Sequence, residues 1–334
     1  MVAVRRAPGG EAAEDQQADL PKTGMETAGR SLRQIVWGRV RRDRVALISL
    51  AVLVFMYGMA IFGPFVAPFF GFDPYKFDAS AISSSGGNPV LPWGGISLAH
   101  PFGVEWGTGR DIFSQLLWGM RISLLIASTA TILTVTFGVV IGIVAGYTGG
   151  WTDQIIGRFM DLILAFPFLL IILAMSGVLT QRLQDLGVPE GNPSRILYLI
   201  IVISVFGWPY LARIVRGQVL SLREREFVEA AVAMGSGKRR ILFTEILPNL
   251  WAPIIVYATL TLPAYIGLEA ALSFLGVGVI PPDMTFGAML ANSVAYFKVV
   301  PTYLFIPGVV LVIIVVSFNL LGDALRDALD PRRH

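Results

Sequence analysis

The sequence contains no cysteine and only two histidines, His100 and His334. The absence of cysteine excludes disulfide bonds and thiolate metal sites, and two histidines are too few for a histidine-based metal cage. Charged residues are scarce as well, at 15% of the 334 residues, whereas a soluble domain carries about a quarter. These shortages exclude a disulfide-stapled scaffold, and they argue against a water-soluble globular domain.

The motifs of common enzyme classes are also missing. The segment Gly235-Ser236-Gly237-Lys238 resembles part of a phosphate-binding loop, but Val232 stands where that loop requires its first glycine, and Arg239 stands where it requires Ser or Thr. The sequence has neither the His-Glu motif of zinc proteases nor a Gly-x-Ser-x-Gly nucleophile turn. We therefore expect a non-catalytic chain that binds no metal and no cofactor of its own.

What the sequence does contain is long apolar runs. Hydrophobic residues make up 54% of the chain, the mean hydropathy is +0.67, and runs of about 20 apolar residues recur. The alternative, a soluble protein with an unusually apolar core, does not account for that recurrence. We predict an all-α polytopic membrane protein with six transmembrane helices, near residues 45–69, 122–147, 155–179, 196–211, 251–275 and 304–321.

The distribution of Lys and Arg gives the orientation. If the N-terminus is inside, the inner segments hold twenty of these residues and the outer segments hold six. Cytoplasmic segments are enriched in Lys and Arg, so both termini are predicted to be cytoplasmic. Residues 1–45 lack the apolar core and cleavage site of a secretory signal, so we expect the first apolar segment to remain as an anchor.

These patterns divide the chain into predicted regions. They are a disordered cytoplasmic tail at 1–30, a basic amphipathic interfacial helix at 31–44, the first transmembrane helix at 45–70, an extracytoplasmic loop at 71–120, a membrane core at 121–322 and a cytoplasmic tail at 323–334. Within the loop we expect a short interfacial helix before the second span. In the core, Gly138, Gly142 and Gly146 share one helix face, which favours close helix packing, although glycine is common in membrane helices. Pro167 is predicted to bend the third span.

The polar segment 221–248 interrupts the apolar core. Phe227, Ala230, Ala231 and Met234 recur at helical spacing, and Gly235 is placed to end that helix, because glycine adopts the left-handed conformation of a helix terminus. A second helix is predicted from near Lys238 to Pro248. This cytoplasmic hairpin could dock into a partner protein or could simply link two spans, and its pattern alone favours neither.

Family resemblance favours docking. Glu229-Ala230-Ala231, Gly235 and Leu247-Pro248 resemble the EAA motif of binding-protein-dependent ABC importer permeases, with Glu245 as a polar variant of a usually aliphatic position. His100-Pro101-Phe102-Gly103 and Gly109-Arg110-Asp111 resemble the outer loop of the C-type subunit of dipeptide and oligopeptide permeases. Further stretches at 213–226, 269–282 and 318–332 are similar to that subfamily.

The resemblance implies an ABC importer type I (MetI-like) permease core with a cytoplasmic coupling-helix hairpin. It also implies a heterodimer with a second homologous permease subunit, two cytoplasmic ATPases that hold ATP and Mg, an extracytoplasmic solute-binding protein, and no nucleic acid. Six hairpin residues are the expected ATPase-coupling set: Glu229, Ala230, Ala231, Gly235, Arg239 and Arg240.

Three charged residues outside the hairpin are further candidates. Glu269 lies within the fifth span, where a carboxylate costs about 2.5–3.5 kcal/mol on insertion scales, so it is either a cavity group or a structural partner in the subunit interface. Arg110 and Asp111 either dock the solute-binding protein or pair with each other.

The solute stays open at this stage. Di- and oligopeptides are the expected solutes, while nickel chelates, glutathione or another small solute would suit the same motifs. A secondary transporter, from a different class, would need ion-coupling acids or a repeat, and Glu269 is the only clear acid in the middle of a span. A pure anchoring protein would not need the proline and glycine residues that punctuate the spans.

Overall fold

The computed structural model describes residues 37–84 and 86–329. The predicted tail at 1–30 and most of the predicted interfacial helix at 31–44 lie outside the described residues. Where that helix is described, residues 37–40 are helical and Arg41-Arg42 form a turn. The backbone of Asp43 is extended and its side chain accepts a hydrogen bond from the Val45 N–H at 2.8 Å. Asp43 therefore begins a new helix, and the prediction of one helix reaching residue 44 is wrong.

The described chain is helical throughout its apolar regions. Its main helices are α1 Arg44–Val66 (extended by a 3₁₀ turn at Ala67–Phe70), α2 Ile112–Thr148, α3 Gly150–Ala165, α4 Phe168–Asp185, α5 Asn192–Leu222, α6 Glu226–Ala233, α7 Lys238–Phe274, α8 Phe286–Ser293 and α9 Pro301–Leu329. Six of these, α1, α2, α4, α5, α7 and α9, are long and apolar enough to cross a membrane. The six predicted spans are thus confirmed in number. Within the described residues, β structure is limited to two isolated bridges.

The boundary between the outer loop and the second span differs from the prediction. Asp111 accepts a hydrogen bond from the Ser114 N–H at 2.7 Å and caps α2. From that cap a single helix continues to Thr148. The loop therefore ends at residue 111 rather than 120, and the expected short interfacial helix is the first part of α2.

The third span is broken rather than bent. Phe166 has an extended backbone, with ψ 137°, between the end of α3 and Pro167, which caps α4. Steric contact with a proline ring disfavours the helical conformation in the residue before it. Only α4 on this stretch has the length and composition of a span.

The hairpin also continues further than expected. Its second arm begins at Lys238, passes through a π-helical turn at Ile241–Ile246 and runs on as the fifth span to Phe274. The predicted stop at Pro248 is wrong, because the chain stays helical through Pro248, where the π-helical turn passes into the α-helical part that begins at Leu247. In the same way α9 continues to Leu329, so the predicted tail at 323–334 is helical where it is described.

Close packing of α2 on α5 forms the centre of the bundle. A Cβ atom on Gly138 would lie 2.8 Å from Leu211 Cβ, one on Gly142 would lie 2.7 Å from the Ala212 carbonyl oxygen, and one on Gly146 would lie 2.9 Å from that of Arg216. The glycine face predicted from the sequence is therefore a packing face.

The bundle has two distinct ends. The hairpin end carries α6 and the turn between α2 and α3, where Arg223 Nη1 donates to the Gly146 carbonyl at 3.3 Å. The loop end carries residues 71–111, 186–191 and 275–300. The Tyr75 hydroxyl donates to Asp283 at 2.6 Å, and Nδ2 of Asn192, the first residue of α5, donates to the Ile280 carbonyl at 2.8 Å. A ligand or partner therefore meets different chemistry at each end.

Candidate functional site

The hairpin turns at Gly235. Its φ is +76°, and the Gly235 and Ser236 N–H groups donate to the carbonyls of Val232 and Ala231, at 2.9 and 3.0 Å. This pair of bonds is the Schellman motif, which satisfies the last carbonyls of a helix and requires a left-handed residue. Gly235 therefore ends α6 as the sequence predicts.

One face of α6 is buried against the rest of the chain. Val228 and Ala231 pack into an apolar cluster with residues of α5 and α7, including Val215, Ile246 and Leu250. Because Ala231 is 4% exposed, it supports the hairpin from within. Within this chain Ala231 packs against α5 and α7, and its part in ATPase coupling stays a prediction.

The remaining surface of α6 is open. Phe227, Ala230 and Met234 are exposed, Met234 at 79%, and their spacing places them on one side of the helix. Val232 and Glu229 are exposed on other sides of it. Exposed apolar side chains on a short helix are typical of a surface that receives another protein. This exposed surface holds Glu229 and Ala230 of the predicted coupling set.

Charge surrounds the hairpin turn. Gly235, Arg239 and Arg240 are exposed, and among residues 37–84 and 86–329 neither arginine forms an ion pair. Two unpaired guanidinium groups beside an apolar patch suit a partner with acidic residues at its rim.

Two ion pairs hold α3 against α5 beside the hairpin. Arg216 donates to both carboxylate oxygens of Asp153, with Nη2 to Oδ2 at 2.7 Å, and Arg213 pairs with Asp161. Asp153 lies outside the six spans, and the hydrogen bonds from the Arg216 guanidinium lower the pKa of its carboxyl. The hairpin end of α3 is thereby fastened to the helix that leads into the hairpin.

A cleft opens between the α3–α4 break, α5 and α7. Its volume is about 520 Å³, and aromatic side chains dominate its walls. The aromatic residues are Phe166, Phe168, Phe206, Tyr210, Tyr257 and Tyr265. None of the described residues that line the cleft is charged, so it can hold an apolar or uncharged group. We call it the aromatic chamber.

The depth of the aromatic chamber is set by Gly207. A Cβ atom at this position would lie 1.9 Å from the Tyr265 hydroxyl oxygen, so only glycine allows the Tyr265 ring to lie across α5. The hydroxyl of Tyr265 is 3.1 Å from Thr134 Oγ1 of α2. The tyrosine is therefore fixed between three helices.

Glu269 lies outside this chamber. It is fully buried, and its two carboxylate oxygens accept hydrogen bonds from Ser123 at 2.8 Å and Ser273 at 2.7 Å. Ser123 Oγ in turn accepts from the Phe286 N–H at 3.2 Å. Glu269 thus joins α2, α7 and α8 inside this chain, which matches neither the cavity position nor the subunit-interface position considered from the sequence.

Arg110 and Asp111 are likewise internal. Arg110 Nε donates to Glu105 at 2.6 Å, and the Tyr303 hydroxyl donates to the same carboxylate at 3.1 Å. Asp111 caps α2 and lies 3.1 Å from His100 Nδ1. The two do not pair with each other, and at 5% and 4% exposure neither offers a docking surface.

Comparison with known proteins decides the family. Residues 138–334 match the model of the family described as "Binding-protein-dependent transport system inner membrane component", and residues 31–82 match the model described as "N-terminal TM domain of oligopeptide transport permease C". The chain belongs to the family of binding-protein-dependent ABC importer permeases.

Curated relatives align along nearly the whole permease. The oligopeptide transport system permease protein OppC of Haemophilus influenzae is 35% identical over 92% of this chain and 91% of its own length. The dipeptide transport system permease protein DppC of Alkalihalophilus pseudofirmus is 36% identical over 88% of each chain. OppC of Mycobacterium tuberculosis is 35% identical over 90% of this chain and 95% of its own length.

A solved structure shares the permease fold. A chain of the MetNI methionine ABC transporter, in inward-facing conformations (CY5 native crystal form), superposes with a TM-score of 0.52 over 66% of this chain and 98% of its own, at 20% identity. The fold is therefore that of a type I importer permease with six membrane helices.

The sequence did not reveal several groups that shape the permease site. The Arg216–Asp153 pair joins residues 63 positions apart, and Glu105 meets Tyr303 across 198 positions. Arginine and acidic residues in inner segments were visible as charges, but no local spacing paired them. The tyrosines of the aromatic chamber could have been found only from a weak pattern: Tyr257 and Tyr265 stand about two helical turns apart in the fifth span, which places them on one side of that helix.

Proposed function

We propose that this permease is one of two non-identical transmembrane subunits of an importer that carries di- and oligopeptides across the bacterial cytoplasmic membrane. The observation that carries the proposal is the continuity of α7, which begins in the exposed hairpin and then forms a wall of the aromatic chamber. A force applied to the hairpin acts on the chamber directly. Curated relatives named as oligopeptide and dipeptide permeases support the choice of solute.

The hairpin end is assigned to the cytoplasm. Its segments hold most of the Lys and Arg of the chain, in agreement with the enrichment of positive charge in cytoplasmic segments. Both termini then lie in the cytoplasm and the loop end faces outward.

Membership of this family entails ATPase and solute-binding protein partners in general. For this permease we propose two ATPases that bind ATP and Mg, one solute-binding protein at the loop end, and a homologous permease subunit. The last is supported by α4, in which Ile172 is the one buried residue and the apolar side chains of Leu169, Leu170, Met175 and Val178 are exposed, so that they face lipid or a second subunit.

The chain's own residues then transmit the motor's movement. The exposed α6 face binds the ATPase, Gly235 fixes the angle of the hairpin, and α7 carries the displacement to the aromatic chamber. Closure of the ATPase dimer draws the two coupling hairpins together and opens the cavity outward, and hydrolysis reopens it inward.

The test is reconstitution of the assembled transporter. The permease is co-expressed with the proposed second permease, ATPase and solute-binding protein from the same genome, purified through a tag on this chain, and placed in liposomes with a radiolabelled tripeptide. We expect the ATPases to co-purify and uptake to require ATP. Uptake by this chain alone, driven by a proton gradient, would identify a secondary transporter and contradict the proposal. If a nickel chelate or glutathione competes with the labelled tripeptide and unlabelled peptides do not, the transported solute is not a peptide.

A further inference from the structure

A second pocket lies at the loop end, beyond the aromatic chamber along α4 and α5. Its volume is about 360 Å³, and it is enclosed by α4, the start of α5 and the segment that follows α7. Unlike the aromatic chamber, it is lined by polar groups, among them Thr180, Gln181, Gln184 and Arg195. We call it the outer pocket.

Arg195 is held in place at this pocket. Its Nη1 donates to the Gly278 carbonyl at 3.1 Å and reaches that of Gly276 at 3.5 Å. Within residues 37–84 and 86–329, no carboxylate pairs with it, and Nε and Nη2 make no hydrogen bond. A half-buried guanidinium without an opposite charge is costly, and its unused N–H groups are available to an incoming acceptor.

The neighbouring amides and hydroxyls are available as well. The side chains of Thr180 and Gln181 make no hydrogen bond in the described part of the chain. The Gln184 side-chain amide donates one hydrogen bond to Ser194 Oγ at 3.1 Å, which leaves its second N–H and its carbonyl oxygen for a ligand. An arginine fork beside amide and hydroxyl donors is the arrangement that binds a carboxylate or phosphate oxygen pair.

The outer pocket and the aromatic chamber follow each other along the same helices. On α4, Phe168 lines the chamber and residues 176–184 line the pocket, while on α5 the pocket begins at Arg195 and the chamber at Ile203. Between them the Tyr198 hydroxyl donates to the Ile172 carbonyl. The outer pocket therefore lies nearer the loop end than the aromatic chamber, and the buried Tyr198–Ile172 contact lies between the two.

We propose that the outer pocket binds the carboxylate of the incoming solute, with Arg195 as its anchor, and that for a peptide this group is the C-terminal carboxylate. The inference rests on the proposed import of peptides. A peptide carboxylate and the phosphate of a lipid headgroup are both oxyanions that Arg195 could bind, so a lipid phosphate is the alternative ligand of the outer pocket. A purely structural role, in which Arg195 only clamps the segment after α7, predicts no preference for the charge of the solute.

The test compares a peptide acid with its amide. The complete transporter, with its ATPases and binding protein, is reconstituted in liposomes, and uptake of one tripeptide with a free C-terminal carboxylate is measured against uptake of its C-terminal amide. Wild type, Arg195→Gln and Arg182→Gln are compared, since Arg182 is an exposed cation of α4 paired with Asp185. The binding protein is the same in every arm, so a change in the acid-to-amide ratio reports the permease.

We expect Arg195→Gln to lower the acid-to-amide ratio of kcat/KM about tenfold, the effect of losing one charge-assisted hydrogen bond, and Arg182→Gln to leave it unchanged. An equal loss for both peptides in Arg195→Gln would show a clamp and overturn the proposal. So would a defect that appears only after phosphatidylglycerol is added to phosphatidylcholine liposomes and is equal for both peptides, because it would assign the oxyanion to lipid.

The same experiment separates this inference from the proposed function. If wild type takes up the peptides and the ratio does not change in Arg195→Gln, the outer pocket proposal alone is overturned. If wild type takes up neither peptide but transports another solute, peptide import is overturned and the assignment of a peptide carboxylate falls with it.

Discussion

Gly235 and Gly237 stand two residues apart in the hairpin turn and differ in backbone conformation. Gly235 has φ +76°, in the left-handed region, whereas Gly237 has φ −67° and ψ 152°. A Cβ atom at either position would meet no other atom within 4 Å. The requirement for glycine at position 235 is therefore one of backbone conformation and not of space.

This contrast gives a prediction at single-residue scale. Gly235→Val places a β-branched side chain in a conformation that such residues almost never adopt, so the hairpin should reorient and ATP-dependent uptake should fall more than tenfold. Gly237→Val, which suits an extended backbone, should transport like wild type. Equal uptake by both variants, measured at matched membrane expression, would contradict the role of Gly235.

Glu269 gives a second prediction. Glu269→Leu leaves the hydroxyls of Ser123 and Ser273 without their buried acceptor, which should cost about 1–3 kcal/mol of stability and lower the thermal unfolding midpoint of the detergent-solubilised protein. Because Glu269 does not line the chamber, the KM for the solute should stay unchanged in the protein that folds. Glu269→Gln, which keeps an acceptor, should lie between. A raised KM with unchanged stability would instead place Glu269 on the solute path.

Single residues also mark what sequence reasoning could not supply. The spacing of Phe227, Ala230, Ala231 and Met234 predicted a helix. The helical period of 3.6 residues does not say which of these side chains is buried against the rest of the chain. The structure buries Ala231 against α5 and α7 and exposes the other three. Likewise Arg110 and Asp111 are neighbours in sequence, yet each takes its partner from elsewhere in the outer loop.

At the scale of helices, the α2–α5 contact is the most sensitive to size. Gly142→Ala puts a methyl group 2.7 Å from the Ala212 carbonyl oxygen, so the two helices must separate, at a cost of about 1–3 kcal/mol. Gly157→Ala in α3 meets nothing within 4 Å and should be neutral or stabilising by up to about 1 kcal/mol. Thermal unfolding midpoints in detergent measure both. Equal unfolding midpoints for Gly142→Ala and Gly157→Ala would contradict this prediction, because they would show that α2 and α5 can separate without loss of stability.

The attachment of α3 gives a prediction with a pH dependence. The pKa of Asp153 is lowered in the folded protein by Arg216, so the ion pair stabilises the fold fully above the ordinary aspartate pKa of about 3.9 and is lost as the pH falls through the lower folded value. Asp153→Asn should therefore be less stable than wild type at pH 5–7, by about 1 kcal/mol, and the gap should narrow below about pH 4.

The control for the pH dependence of Asp153→Asn stability is Asp161→Asn, in the same helix. Asp161 is 54% exposed in its pair with Arg213, and exposed pairs contribute little. Its midpoint should stay near that of wild type across the range. A gap for Asp153→Asn that does not change between pH 7 and pH 3 would contradict the carboxylate's part in fastening α3.

Prolines illustrate why helix boundaries were harder to predict than helix number. Pro167 separates α3 from α4, whereas Pro209, Pro253, Pro263 and Pro307 lie inside continuous helices. A proline inside a helix removes one backbone hydrogen bond, and the packing of neighbouring helices decides whether the helix continues. The apolar runs fix the number of spans, but α2, α7 and α9 extend beyond their apolar parts because caps and packed polar faces, and not lipid, determine where they end.

At the scale of the whole molecule, the charge of the hairpin end should govern assembly. Reversal of both exposed arginines, Arg239→Glu with Arg240→Glu, should weaken binding of the ATPases about tenfold or more, and the difference from wild type should shrink at high salt, where exposed charges are screened. Arg182→Glu at the loop end is the matched control and should bind normally. Co-purification at a series of salt concentrations measures this, and unchanged binding by the double variant would remove the arginines from the interface.

The continuous α7 has a mechanical consequence. Its 37 residues, at about 1.5 Å each, make a rod of about 55 Å, longer than the hydrocarbon layer of about 30 Å. A rod that protrudes at one side of a fulcrum is a lever, and the dense α2–α5 core beside it is the natural pivot. A small swing at Lys238 then appears as an opposite swing at Phe274, next to the segment that Arg195 holds. The π-helical turn at Ile241–Ile246 interrupts the α-helical winding of the rod near its hairpin end, so this is where we expect the rod to bend.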